Sequence, residues 1–286
     1  MIKYLYMLLS KEIEKMARKT IEIFPGMSFG LVHDIDEHPK AIDFALHNHD
    51  NLYEIVMLVK GDCEFHVEGN IYKLCPYDVM LVRPFEMHHI VCLSDTVYDR
   101  IILYIKPEYF DEKNCRQFLD VLENRRLGTG NILSYNISER SLSECIKRLD
   151  LYAKEEQYQV MDGVLMEFLY LLNKAKSSAK DIHSRNERIR NVIMYINDNL
   201  DGDLSLDTIA AECYISKNYL CNLFKRYTGY TVNHYITYKR ILYVQELYKN
   251  GKTLLQSCID AGFKSYSGFY RAYVGIMGQP PKHMIK

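Results

Sequence analysis

The chain has 286 residues, 48% of them hydrophobic and 26% charged, enough apolar side chains for two packed domains and too many for a disordered protein. Its formal net charge of −1 conceals a division: Arg188 to Lys286 carries 13 Lys and Arg against 7 Asp and Glu, net +6, leaving 23 against 30 in front, net −7. An acidic front and a basic rear on one chain suggest that the rear meets a polyanion.

At the front, MIKYLYMLLSKEIEK has too short an apolar run for a signal peptide with its flanks, and no apolar stretch of about 18 residues occurs anywhere, so an intracellular, cytoplasmic protein without membrane partners is expected. The eight cysteines stand at 63, 75, 92, 115, 145, 213, 221 and 258 with no C-x-x-C pair, which excludes a local zinc finger or thioredoxin motif and fits a reducing compartment.

Five of the seven prolines fall at or before Pro107. Within that region Glu54–Lys60, Cys63–Val67, Ile71–Leu74 and Val79–Arg83 are short apolar or alternating runs separated by Gly, Asn, Asp and Pro, the texture of an antiparallel barrel or sandwich over about residues 20–106, behind an extension at 1–19. The proline-free stretch that follows predicts a helix over Glu108–Arg126 and another over Ser138–Lys176 with a break at Gly163, together a helical dimerisation region at 107–176. Polar, small-residue-rich sequence makes 177–187 a linker.

The rear third, 188–286, reads as all-helical. Arg188–Asn199 is amphipathic; Ser205 is placed to cap a helix that stops near Cys213–Ile215, and Ser216 to cap SKNYLCNLFKRYTG, which ends at Gly229. Two short helices and a tight turn describe a helix-turn-helix, with Leu220, Leu223 and Phe224 toward the core and Lys217, Asn218, Cys221, Asn222 and Lys225 on the reading face. A long helix, Asn233–Lys249, spanning about 25 Å, leads to a second such unit: Leu254–Phe263, then Ser265 and YSGFYRAYVGIMG. Lys217, Lys225, Arg226, Lys239 and Arg240 are candidate phosphate contacts.

These residues resemble the AraC/XylS type of bacterial transcriptional regulator: I-S-x-x-Y-L-x-x-L-F-K-x-x-x-G at Ile215–Gly229, Tyr235 and Arg240 on the spacer, Gly262-Phe263, and Gly278 with Pro281. The resemblance covers about residues 188–284 and implies base reading by Asn218, Cys221 and Asn222 in the first motif and by Tyr266, Ser267 and Arg271 in the second. Departures weaken the second motif: Gly268 stands at a bulky position, Val274 and Gly275 replace a basic pair, and Met284-Ile285 an aromatic–Arg ending. The first motif is therefore expected to supply most of the base reading.

In front, His47-Asn48-His49, Glu54, Gly61, Pro84 and His89 resemble the two motifs of the cupin barrel, with Ala41 in place of one glycine and Glu86 in the glycine slot of the second motif. That resemblance implies an effector site at His47, His49, Glu54 and His89, and the same side chains have the chemistry of a divalent-metal site. The reading adopted is a pocket without metal or other cofactor. Tyr53, Tyr72 and Tyr77 are candidates to line a sugar-sized cavity, with strand packing as their ordinary role. His33 and His66 are expected to be surface or satisfied barrel residues.

The combined expectation is an α+β multidomain protein: an N-terminal cupin-like barrel with flanking helices and a C-terminal all-α domain with two helix-turn-helix motifs. The implied function is sequence-specific regulation of transcription, without catalysis, in response to a small polar effector such as a carbohydrate. Its partners would be double-stranded promoter DNA, the effector, a second copy of the chain and, for an activator, RNA polymerase. A metal-dependent cupin enzyme fused to a DNA-binding domain is the alternative.

Overall fold

The structure, a computed structural model, describes residues 23–39, 47–49, 51–125, 127–134, 140–175, 187–228, 230–277 and 280–281. The 1–19 extension, most of the 177–187 linker, Ala41, Gly229, Gly278 and Met284-Ile285 lie outside the described residues. The chain forms two compact units, Met1–Ser184 and Arg185–Lys286.

The first unit is built on β1 (Phe29–Asp36), β2 (Tyr53–Lys60), β3 (Cys63–Val67), β4 (Asn70–Lys73), β5 (Val79–Val82), β6 (His88–Cys92), β7 (Tyr98–Ile105) and β8 (Ile132–Leu133). They make an antiparallel five-stranded sheet, β1-β7-β2-β5-β8, and a three-stranded one, β4-β3-β6. Alternation along β2 decides which layer each side chain enters. Val56 and Leu58 join Phe65, Val67, Met80 and Val82 in the core between the sheets. Tyr53, Ile55 and Met57 belong to the other core, with Leu149, Leu165 and Phe168 of the helices. Glu54 shares the parity of Val56 and faces the space between the sheets, where an isolated bridge between His47 and His88 joins its neighbourhood to β6.

The helices of this unit are α1 (Pro107–Glu112), a 3-10 turn (Arg116–Leu119), α2 (Asp120–Glu123), α3 (Arg140–Lys154) and α4 (Tyr158–Ala175). Two expectations are corrected. The helix read over Glu108–Arg126 is three short pieces, because Asn114 takes a φ of 50° and turns the chain out of the helix. The break placed at Gly163 falls instead at Glu156, φ 57°, and α4 runs on through an exposed Gly163, whose lost helix propensity of about 1 kcal/mol the buried Met161–Leu172 stripe outweighs. Among the described residues no helix is long and apolar enough to cross a membrane.

The second unit contains α5 (Glu187–Asp198), α6 (Leu206–Glu212), α7 (Lys217–Thr228), α8 (Val232–Lys249), α9 (Leu254–Asp260) and α10 (Tyr266–Met277). Side-chain caps start the helices where the sequence places hydroxyls: Ser205 accepts from Thr208 N at 3.1 Å, Ser216 from Tyr219 N at 3.3 Å, Thr253 from Gln256 N at 3.3 Å and Ser265 from Gly268 N at 3.1 Å. Gly268 thus lies in the first turn of α10 with its N–H satisfied. Leu220, Leu223 and Phe224 are buried, Phe224 packing edge-on to Tyr235 of α8 at 5.2 Å, while Ile241 and Val244 of α8 support Cys258, Phe269 and Tyr273 of the second motif. The long helix is a shared spine for both helix-turn-helix motifs of this unit.

Candidate effector site and DNA interface

On α7, Lys217, Asn218, Asn222, Lys225 and Arg226 are exposed on the side opposite the buried leucines, and Cys221 is half-buried. Lys217 Nζ forms an exposed ion pair with Asp207 at 2.9 Å, so part of its charge is already met within the motif. On α10 the exposed residues include Tyr266, Ser267, Tyr270 and Arg271; Arg271 is the only Lys or Arg on that helix. Tyr270, one turn beyond Tyr266 with ring centroids 6.3 Å apart, was not singled out in the sequence; the i, i+4 spacing is the signal that would have found it.

Two of the candidate phosphate contacts are corrected. Lys239 is 4% exposed within α8. Arg240 is spent inside the fold: Nε donates to the Leu200 carbonyl at 2.8 Å and Nη2 to that of Gly202 at 2.7 Å. Gly262, at φ +84°, lies against the same place, and a Cβ there would stand 2.4 Å from the Leu200 oxygen and 2.8 Å from Arg240 Nε. The pairing of Arg240 with Gly262-Phe263 in the sequence is therefore an internal tie between the start of the unit and the second motif.

In the first unit, His47, His49, Glu54 and His88 come together, and one ligand atom from each lies within 4.8 Å of the others. His49 Nε2 and His88 Nε2 both stand 2.9 Å from Glu54 Oε2, and the rings of His47 and His88 are 4.4 Å apart. His47 is exposed, His49 half-buried and Glu54 and His88 buried, so the group reaches from solvent into the space between the sheets. His89 does not enter it. Strand parity turns its ring to the other face of β6, 4.7 Å from that of His66, its register partner on β3, and His88 occupies the position assigned to His89. The clue was present: Ile90 and Cys92, which pack toward the core, share the parity of 88.

Burial alone would raise the Glu54 carboxyl, but the charge of His88 and hydrogen bonds from His49 and His88 hold it well below the usual carboxylate range. Burial pulls His88 down, and Glu54 more than reverses this, leaving His88 above an ordinary histidine. The His88 Nδ1 lies 2.9 Å from the Glu86 carbonyl, which can only accept, so that nitrogen carries a proton and Nε2 points at Glu54. Three imidazoles and a carboxylate, one imidazole anchored through its outer nitrogen, are a donor set that fits a borderline divalent ion such as zinc, cobalt or nickel.

Tyr53, Tyr72 and Tyr77 are engaged elsewhere: Tyr53 donates to Glu123, Tyr72 to the Gly128 carbonyl at 2.8 Å, and Tyr77 lies under the Lys147 ammonium at 4.6 Å. Two aromatics stand beside the cluster: Tyr104 of β7, the register partner of Glu54, with its ring 5.8 Å from His49, and Phe65 of β3, its ring 5.9 Å from His88; only the strand pairing reveals Tyr104. His33 is satisfied between Asp99 and Asp150, each at 2.9 Å.

Residues 35–128 match the description of the AraC-like ligand binding domain and residues 201–286 that of a helix-turn-helix domain. The chain is 29% identical over 119 residues to the melibiose operon regulatory protein of Escherichia coli K12, covering 41% of this chain and 39% of that protein's length. It is 33% identical over 96 residues to the transposon Tn10 TetD protein of Escherichia coli, covering 33% of this chain and 70% of the relative. Over 255 residues it is 22% identical to the XylDLEGF operon transcriptional activator of Pseudomonas putida, covering 83% of this chain and 75% of the relative. With two helix-turn-helix motifs on one spine and a cupin-like ligand-binding unit in front, the chain belongs to the AraC family of helix-turn-helix regulators.

Proposed function

We propose that this protein regulates transcription in the cytoplasm by binding promoter DNA through residues 188–286 and by sensing a small polar effector at His47, His49, Glu54 and His88. The observation that carries the reading is the pair of helix-turn-helix motifs built on α8, each presenting an exposed polar helix face. Asn218, Cys221 and Asn222, flanked by Lys217 and Lys225, are the base readers of the first motif, and Tyr266, Ser267 and Arg271 those of the second. Three cations on α7 against one on α10 favour the first motif as the stronger contributor.

The effector is a carbohydrate or related metabolite. The likeness to a regulator named for melibiose supports a sugar, and hydroxyl groups suit a site of imidazoles and a carboxylate beside the Tyr104 ring. The sensor barrel at 20–106 and the helical region at 107–176 form a homodimer, joined to the DNA-binding domain through 177–187. Effector occupancy shifts which half-sites the two copies reach together, and an activator of this kind also meets RNA polymerase.

Mobility-shift titration of the full chain on fragments from its own genomic neighbourhood tests the first part. Specific retention of one fragment over random duplex at moderate salt is expected; equal affinity for both refutes sequence-specific regulation. A thermal-shift panel of sugars tests the second part, and no stabilisation across a broad panel refutes a sugar effector.

A further inference from the structure

Helices α7 and α10 begin alike and differ in the face they present. Ser216 caps α7 and Ser265 caps α10 in the same manner, each accepting from the N–H three residues on, at 3.3 and 3.1 Å. Counted from these caps, Leu220 matches Phe269 and Phe224 matches Tyr273, all four buried, so the exposed faces correspond as well. Where α7 has Lys217, Cys221, Lys225 and Arg226, α10 has Tyr266, Tyr270, Val274 and Gly275. Tyr266 and Tyr270 are exposed with ring centroids 6.3 Å apart, half-buried Val274 continues the line one turn on, and Arg271 is the single cation of the helix. A stripe that is largely cationic on α7 is thus aromatic and apolar on α10.

We propose that α10 selects thymine, with the rings of Tyr266 and Tyr270 packed against the 5-methyl groups of two thymines in the major groove, and that Tyr270 is a specificity-determining residue of this protein. The proposal deepens the reading of the second motif as a base reader and rests on it. Base-pair edges in the major groove carry hydrogen-bond donors and acceptors, and the thymine methyl is the apolar group among them. A ring pressed on polar edges would strand their donors and acceptors, whereas against a methyl it takes apolar surface out of water on both sides. The 6.3 Å between the two rings is close to two base steps of about 3.4 Å each, so one helix engages both methyls. The first motif works by different chemistry: Asn218 and Asn222 offer amides that hydrogen-bond to base edges and need no methyl.

The test is a thymine-to-uracil scan. The full chain selects its preferred duplex from a random library, and each dT of that duplex is then replaced by dU, one at a time, with affinity measured by competition mobility shift. Uracil lacks only the methyl, so every hydrogen-bonding group of the base pair stays in place. Two thymines within about three base pairs of each other should each lose roughly fourfold in affinity on replacement, the worth of one buried methyl. In Tyr270→Ala, dT and dU should bind equally at one of these positions. Tyr270→Phe keeps the ring and should keep the discrimination; Asn222→Ala should weaken binding overall and keep it too. A wild-type chain indifferent to dU at every position, or discrimination unchanged in Tyr270→Ala, overturns the proposal and leaves the stripe to a protein partner, while a preferred duplex still upholds DNA recognition. Selection of no preferred duplex refutes that recognition and the thymine preference together.

Discussion

Gly262→Ala offers a worked test of the tie between the start of the helical unit and its second motif. At φ +84° an alanine bears left-handed strain of about 1–2 kcal/mol. Its Cβ would also stand 2.4 Å from the Leu200 carbonyl oxygen and 2.8 Å from Arg240 Nε, inside any tolerable contact. The oxygen belongs to the main chain and accepts from Arg240 Nε at 2.8 Å, so relief requires the chain near Leu200 to move and loosens a charge-assisted hydrogen bond of about 1.5–3 kcal/mol. The total is about 2.5–5 kcal/mol. Gly251, at φ +90° with nothing within 4 Å of a Cβ, separates the contributions, because Gly251→Ala carries the strain alone. In calorimetry of the full chain, Gly262→Ala should lower the transition of the helical unit by about 6–24 °C more than Gly251→Ala does, the remaining ~1.5–3 kcal/mol taken on a scale of about 4–8 °C per kcal/mol for a domain of this size. Adding Arg240→Ala should not restore it, since the nearest atom is the carbonyl. Equal losses in the two glycine variants, or rescue by Arg240→Ala, would refute the collision.

Asn222→Ala should cost operator affinity about 1–3 kcal/mol, as for a base contact, and more than Arg271→Ala; competition mobility shifts with the opposite order would reverse the ranking of the motifs. Lys225→Ala should reduce the slope of log affinity against log salt by about 1, whereas Arg240→Ala should leave the slope unchanged and show itself in thermal stability; a shallower slope for Arg240→Ala would return that side chain to the phosphates. Glu86→Ala leaves the Arg125 guanidinium without its buried partner and should cost about 3–5 kcal/mol in urea unfolding; a loss below about 1 kcal/mol would mean the pair is not structural. Burial, opposed by Glu64, holds His66 below its usual 6.5, so its neutral form stabilises the fold above that pH and the contribution drains away as pH falls through the lower folded value. His66→Asn should flatten the pH dependence of Tm below 6.5, and an unchanged profile would exclude His66 as a source of acid sensitivity.

Much of this protein was legible in local sequence. Ser205, Ser216 and Ser265 cap helices because a hydroxyl can reach the N–H three residues on with no help from the rest of the chain. The charge difference between the two parts of the chain and the leucine side of α7 are likewise properties of composition and a 3.6-residue period. His47, His49 and Glu54 were found through their resemblance to the first motif of the cupin barrel, whose residues lie close together in the chain.

What the amino-acid order determined without further help was the two-part architecture, the helix starts and the class of partner. The tertiary structure alone decided which of two adjacent histidines faces inward, since strand parity depends on the pairing of β6 with β3 and on the bridge from His88 to His47. It also decided that Lys239 and Arg240 are consumed inside the fold, that Tyr104 rather than Tyr53, Tyr72 or Tyr77 stands beside the cluster, and that a glutamate in a glycine slot is the centre of a buried network. Each of these depends on contacts between residues tens of positions apart, which a local period cannot encode.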